Sequence, residues 1–272
     1  MVLFPNCKIN LGLNIIRKRE DGYHDLETVF YPVGLRDAVE VINLGQSGDG
    51  VVYSSSGLRI AGGDEDNLCV KAYGLLKKDF PELPGVKIHL HKAIPMGAGL
   101  GGGSADGAFT LRLLNEFCGL NLSDEQLLAY ALQLGSDCPF FIHNKPCFAT
   151  GRGEVLQEIT LDLSMYTFII VNPGIHVSTA NAFSQIRPGK PRQSILDIIH
   201  KPIHFWKEQL LNDFETGVSN THPEIARIKE QLYANGAIYA SMTGSGSSVY
   251  GLFEKNMQTN FSFEPSCLVY KI

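Results

Sequence analysis

The sequence predicts an α+β protein, built as one extended domain or as two lobes, and three patterns point there. Apolar residues alternate through the opening stretch, they recur at helical spacing between residues 104 and 134, and the closing region reads as strand, tight turn, strand. The length of 272 residues allows a large core, against the ~100 to 200 residues of a usual domain.

Taken in order, Ile9, Leu11, Leu13 and Ile15 alternate with Lys8, Asn10 and Asn14, which predicts a half-exposed strand with Lys8 and Asn10 on its polar face. An Asp-Gly turn at Asp21 and Gly22 follows, then strand-like runs near Val29 and over residues 39–42. Residues 45–63 are rich in Gly and Ser and read as loop around a short strand at 51–53. Asp66 or Asn67 can cap a helix to about Lys78, and Pro-Glu-Leu-Pro-Gly ends it before a strand carrying Val86, Ile88 and Leu90. Beyond Ser104, the residues Ala108, Leu111, Leu114, Phe117 and Cys118 keep helical spacing up to Gly119. Ser123 and Gln126 form a capping-box pattern that opens a second helix, stopped at Gly135. After a boundary placed near residue 153 come a strand at 166–171, a loop at 172–174, and helical stretches around Asn181 and over 195–206. A helix over 223–234 then precedes two apolar runs within 237–253 that flank Thr-Gly-Ser-Gly-Ser.

Hydrophobic residues are 44% and charged residues 19% of the chain, both ordinary for a globular protein. The 23 basic and 28 acidic residues leave a net charge of −5, which argues against a nucleic-acid backbone as partner, so any phosphate site must be local. The six cysteines lie far apart without a CxxC pair and read as reduced, mostly buried thiols. The start MVLFPNCK lacks a basic, apolar leader, and the apolar run 168–171 is far below the ~20 residues of a membrane span. A cytoplasmic protein with no membrane partner is expected.

The strongest chemical signal is residues 95–105: Pro95, Met96, Gly97, Ala98, Gly99, Leu100, Gly101, Gly102, Gly103, Ser104 and Ala105. Five glycines in this stretch let backbone amides approach an anion with no side chain between, and the helix that follows adds positive potential at its first turn. A plain flexible turn is the alternative. Gly97, Gly99 and Gly102 match GxGxxG, but the loop does not open a βαβ unit, so a dinucleotide fold is disfavoured. No GlyLysSer or GlyLysThr closes the loop, no HRD or DFG motif occurs, and no GxSxG elbow is present. Asp137 stands before Pro139 and reads as a helix N-cap. Lys8 reads as a surface lysine, Ser104 as a cap of its own helix, Asp106 as a first-turn acid, and Phe183 as a core residue. His89 with His91 and His200 with His204 have spacings that prompt a check for metal, but Pro202 interrupts the second pair and no HExxH is present.

With those residues in view, PMGAGLGGGSAD resembles the second motif of the GHMP kinases, the superfamily of galactokinase, homoserine kinase, mevalonate kinase and phosphomevalonate kinase. CKINLGLNI followed by DGYHDLETVF is similar to the first motif of one branch, whose acceptor is a cytidyl diphosphate sugar alcohol on the non-mevalonate route to isoprenoids. SMTGSGSSVYGLF resembles the third motif, and LGSDCPFF, NPGIHVST and NDFE also look like that branch, so the resemblance touches most of the chain in order. It implies the two-lobed GHMP kinase fold: a ribosomal protein S5 domain 2-like lobe over residues 1–153, a ferredoxin-like lobe over 154–272, and the active site between them. It implies ATP and Mg²⁺ as cofactors, a small-molecule acceptor phosphorylated on its 2-hydroxyl, and a monomer or homodimer. By the same resemblance Asp137 accepts or orients the proton of the attacking hydroxyl, and Lys8 stabilises charge beside it. Lys92 and Asn67 join the loop in binding ATP, and Ser104 helps to hold Mg²⁺. Asn10, Tyr23, His24, Thr179 and Phe183 bind substrate, with Tyr23 and Phe183 on the two faces of the cytosine and His24 on its edge. Ala105 and Ala180 depart from the Ser and Pro common in the family. A mevalonate, homoserine or sugar kinase of the superfamily, or a nucleotide-sensing protein without turnover, are the rival expectations.

Overall fold

The computed structural model describes the whole chain except residues 46–47, 190–192, 256 and 258–260. The first half contains β1 (Val2–Leu3), β2 (Asn6–Lys18), β3 (His24–Arg36), β4 (Ala38–Asn43), β5 (Val51–Gly57), α1 (Leu68–Asp79), β6 (Val86–Lys92), α2 (Gly102–Phe117), α3 (Asp124–Leu134) and α4 (Cys138–His143). Then follow β7 (Cys147–Thr150), β8 (Val155–Glu158), β9 (Tyr166–Asn172), α5 (Thr179–Ser184), α6 (Ile195–Ile199), α7 (Trp206–Gln209) and α8 (Phe214–Thr221). The chain closes with α9 (Pro223–Ala234), β10 (Tyr239–Met242), β11 (Val249–Glu254) and β12 (Leu268–Lys271), so the α+β class holds.

The chain divides into two compact units that are discontinuous in sequence. Unit 1 comprises Met1–Cys7, Gly34–Met96 and Gly101–Lys145; unit 2 comprises Lys8–Val33, Gly97–Leu100 and Pro146–Ile272. A single cut near residue 153 does not describe them. The reason is antiparallel pairing across a long sequence separation: β2 and β3 share a sheet with β7 and β8, so residues 8–33 count with the later half of the chain.

Unit 1 is built on a sheet of order β1-β4-β6-β5, in which β5 runs parallel to β6 and the other pairs are antiparallel. Val86, Ile88 and Leu90 of β6 are buried while Lys87 is exposed, the alternation of a strand with one covered face. Asn67 caps α1 by accepting from the Cys69 N–H at 2.9 Å, and α3 opens with the expected capping box of Ser123 and Gln126. Helix α2 starts at Gly102, two residues earlier than its spacing suggested, because Gly101 takes a left-handed φ of 68° and turns the chain into the helix.

Unit 2 carries the sheets β2-β3-β7-β8 and β10-β11-β9-β12. Leu13, Ile15, Ile169, Val171, Phe214, Val218, Ile225, Ile228, Leu232, Met242 and Val249 form one apolar cluster under α8 and α9. The strand-turn-strand and the helix at Pro223–Ala234 are where the sequence places them. Two expectations change. Strand β2 is buried on both faces, with Lys8 4% and Asn10 3% exposed, so alternation there does not mark a half-exposed strand. The stretch 195–206 is not one helix: α6 ends at Ile199 and α7 begins at Trp206, since Pro202 has no amide to continue the ladder.

Candidate active site

The glycine loop leaves β6 at Lys92 and enters α2 at Gly102. Gly97, Gly99 and Gly101 have φ of 62°, 75° and 68°, so every second residue of the turn is left-handed, with Ala98 and Leu100 buried between them. The carbonyls of this segment are tied down. Ser248 N–H donates to the Ala98 carbonyl at 3.1 Å, Thr243 Oγ1 to that of Gly99 at 3.0 Å, and Lys8 N–H to that of Leu100 at 2.9 Å. Among the described residues no intramolecular acceptor takes the amides of 97–101. A turn that gives up its carbonyls and keeps its N–H groups is a cradle for an anion, and the first turn of α2 continues it.

The second glycine turn, residues 243–246, packs directly on the first. A Cβ placed on Gly99 would lie 2.0 Å from the Thr243 carbonyl oxygen, so backbone meets backbone there. Thr243 Oγ1 also accepts the Asn10 N–H at 3.0 Å. Asn212 supports the same turn: its Nδ2 donates to the carbonyls of Met242 at 2.8 Å and Gly244 at 2.9 Å, and its Oδ1 accepts the Phe214 N–H at 3.0 Å. Thr243 and Asn212 were missed by sequence reasoning. The NDFE resemblance was the one signal available for Asn212, and its use as a clamp becomes visible only when β10 and the start of α8 are brought together.

Lys8 and Asn10 sit side by side inside unit 2. Lys8 Nζ donates to Asn10 Oδ1 at 2.6 Å and lies 4.8 Å from the centroid of the Phe30 ring, while Asn10 Nδ2 donates to Thr28 Oγ1 at 3.0 Å. The surface lysine expected from periodicity is thus a buried ammonium. Asn10 Oδ1 accepts from that ammonium and so helps to orient it.

In unit 1, Ser104 stands in the first turn of α2 and does not cap it, since Gly101 occupies that position. Its side chain bonds the Cys138 thiol, which burial nevertheless pushes up to about 12. Ala105 is fully buried, so a serine there would point into the core rather than toward a ligand. Asp137 is the N-cap of α4, with Pro139 in the first turn, but its side chain makes no capping hydrogen bond. It is partly exposed. Asn67 is engaged by its own helix through Oδ1, and its Nδ2 donates to Tyr53 Oη at 2.9 Å.

Lys92 and Asp106 differ from expectation. Lys92 is buried between Asp37 and Asp106, and Asp106 lies in the second turn of α2 with Oδ1 buried and lacking a hydrogen-bond partner. Desolvation raises the Asp106 carboxyl to about 8 against the pull of Lys92, and the Asp37 charge adds to the rise. An acid whose folded pKa exceeds its ordinary 3.8 contributes stability that is full below that value and is lost as pH rises through about 8. Asp106→Asn cannot ionise, so urea unfolding between pH 4 and 8 is expected to show the variant gaining on the wild type as pH rises. A pH-independent difference would contradict this.

The aromatic residues of the expected substrate site are all in unit 2. His24 stacks on Phe183 with centroids 4.6 Å apart, Phe183 meets Phe214 edge-on, and the Arg152 guanidinium lies 4.9 Å from the Tyr23 centroid. The ring facing Phe183 is therefore His24, and Tyr23 is paired with Arg152. Burial, with the Lys18 charge second, holds His24 below the ordinary imidazole value. Thr179 opens α5 and shares a 3.1 Å hydrogen bond with Ser245 Oγ, which links it to the second glycine turn. Ala180 is within α5, whose helical turn forms without a proline. His89 is occupied by Ser54 and Ser56 hydroxyls at 2.8 and 2.9 Å. His200 and His204 lie on either side of the Pro202 break.

The family model of the GHMP kinases N terminal domain matches residues 67–145, and that of the GHMP kinases C terminal matches 201–260. A 4-diphosphocytidyl-2-C-methyl-D-erythritol kinase of Bacteroides fragilis is 54% identical over 265 residues, covering 97% of this chain and 96% of the relative. One of Cytophaga hutchinsonii is 45% identical over 98% of this chain and 99% of its own. A crystal structure of 4-(cytidine 5'-diphospho)-2C-methyl-D-erythritol kinase superposes with a TM-score of 0.80 at 31% identity, covering 93% of this chain and 90% of that one. The Methanococcus jannaschii mevalonate kinase, at TM-score 0.68 and 15% identity over 94% of this chain and 92% of its own, shares the fold. No helix among the described residues is long and apolar enough to cross a membrane. On these matches the chain belongs to the GHMP kinases, in the 4-diphosphocytidyl-2-C-methyl-D-erythritol kinase family.

Proposed function

We infer that this enzyme transfers the γ-phosphoryl group of ATP to the 2-hydroxyl of 4-diphosphocytidyl-2-C-methyl-D-erythritol, giving ADP and the 2-phosphate on the non-mevalonate route to isopentenyl diphosphate. The observation that carries the donor half is the turn at 97–101, whose carbonyls at Ala98, Gly99 and Leu100 are bound and whose amides have no acceptor among the described residues. The acceptor half is supported by relatives of that name across nearly the full length.

Within residues 95–105 the main-chain amides from Met96 to Ser104 hold the triphosphate, Pro95 having no N–H and Ala105 giving its own to the Gly101 carbonyl, and Asn67 borders the nucleotide. Asp137 takes or orients the proton of the attacking hydroxyl, a task a carboxylate performs when positioning supplies most of the catalysis. Lys8 offers a fixed positive charge: buried and held by Asn10, it stabilises developing negative charge without reorganising. Phe183, His24, Tyr23 and Thr179 receive the cytidyl end, and a base that stacks on Phe183 does so by replacing His24 there. The residues fit a cation that arrives with the nucleotide. Among the described residues no three His, Cys, Asp or Glu side chains gather to hold one, and Mg²⁺ is commonly held by few protein groups together with waters and substrate phosphates. Bound so, with the Ser104 hydroxyl as its protein ligand, it would neutralise phosphate charge. We place the enzyme in the cytoplasm as a monomer or homodimer.

Phosphorus NMR of a reaction with ATP, Mg²⁺ and the cytidyl-erythritol acceptor is expected to show loss of the γ signal and growth of one new phosphomonoester. Preferential turnover of homoserine, mevalonate or a sugar would defeat the acceptor assignment. Tight ATP binding with no phosphorylated product from any acceptor would mark a nucleotide-sensing protein.

A further inference from the structure

The Lys92 ammonium has no exposed surface, and the side chains of its partners Asp37 and Asp106 are 0% and 3% exposed. Asp37 lies between β3 and β4, Lys92 ends β6, and Asp106 belongs to α2. Asp37 Oδ1 accepts the amides of Ala93 at 2.6 Å and Ile94 at 2.8 Å, the first two residues after β6, while Oδ2 is held by Lys92 Nζ. The same ammonium donates to Asp106 Oδ2 at 2.6 Å. Gly102, where α2 begins, is pressed against it: a Cβ there would lie 3.0 Å from Lys92 Nζ and 2.7 Å from Ile94 Cγ2. One buried charge therefore joins the entry of the glycine loop, at residues 93–94, to its exit, at 102–106.

We propose that Lys92 is a positioning residue which, through Asp37 and Asp106, fixes both ends of the phosphate loop, and that it acts on the nucleotide only through this clip. The proposal rests on the reading of residues 95–105 as the ATP site. To touch a phosphate, the ammonium would have to abandon both buried acidic side chains, Asp37 and Asp106, and a buried charge left uncompensated is costly. Charge-assisted bonds within a dry interior are stiff. Loop ends held in this way leave less disorder to be lost when the amides close on an anion.

The test compares wild type, Lys92→Met and Asp106→Leu by titration calorimetry with ADP and with adenosine, and by steady-state kinetics. Lys92→Met leaves Asp37 and Asp106 without their cation and is expected to weaken ADP by at least ~10-fold with adenosine little changed. Asp106→Leu keeps Lys92 beside Asp37 and cuts the bond from the ammonium to α2. It is expected to weaken ADP and raise the ATP KM by at least ~10-fold as well, again with adenosine little changed. If Lys92 instead contacts phosphate, Asp106→Leu frees the ammonium and binds ADP as tightly as wild type or more tightly. That result overturns the proposal even if Lys92→Met does not fold. A wild-type ADP-to-adenosine affinity ratio near one would strike the loop assignment itself, and the clip with it.

Discussion

Asp137→Asn is expected to fold as the wild type does and to lose ~10²- to 10⁴-fold in kcat, the range over which a positioned proton acceptor contributes. The fold is expected to survive because the Asp137 side chain makes no capping hydrogen bond to α4, and the position is partly exposed. Asn is as good as Asp before a helix, so little local preference is lost. The amide has the same shape and no basic oxygen, so the attacking hydroxyl loses its acceptor while the ATP contacts stay. A thermal midpoint within ~2 °C of wild type, which corresponds to under about 1 kcal/mol in a chain of this size, together with collapsed turnover is the expected pair of results. Undiminished kcat would remove Asp137 from the chemistry, and a large fall in the midpoint would make its role structural.

Gly99→Ala is expected to cost stability and ATP affinity together. Gly99 has φ of 75°, where a residue with a Cβ is strained by ~1 to 2 kcal/mol. Its new methyl would stand 2.0 Å from the Thr243 carbonyl oxygen and 3.2 Å from that of Gly246. Neither neighbour is a flexible side chain, so one glycine turn must move off the other, and the bonds from Ser248 and Thr243 to the loop carbonyls are the ones at risk. A rise of ~10-fold or more in the ATP KM, equal to about 1.4 kcal/mol, is expected with a lowered thermal midpoint. Gly103→Ala provides the stability comparison. A Cβ at Gly103 would meet Met96 Cε at an ordinary 3.5 Å, and helix propensity favours Ala there by up to ~1 kcal/mol. Equal stability losses at the two positions would show that backbone contact between the turns is not what holds the loop.

Local patterns carried much of the architecture. Helical spacing, the Ser123 capping box, Pro223 and the glycine stops located α2, α3 and α9 to within a residue or two, because these signals act over a single turn of chain. Strands β7, β8 and β12, four residues each, went unseen: at that length pairing partners decide, and those lie far away in sequence. The glycine loop was legible for a related reason. Only a backbone that must bare its amides and take left-handed φ at alternate residues has use for so many glycines.

By itself, then, the sequence determined the α+β class, the glycine cradle and the family, since each is written in short-range order or in motifs that need no partner to be read. Tertiary structure alone decided which polar groups are buried and whom they serve. Lys8 reads as a surface lysine until both faces of β2 are covered, and Lys92, which the family resemblance puts beside the nucleotide, lies buried between Asp37 and Asp106. The physical reason is desolvation: an ammonium in water needs no particular neighbour, whereas a buried one must have compensating groups, and the fold brings these from strands and helices that no local pattern connects.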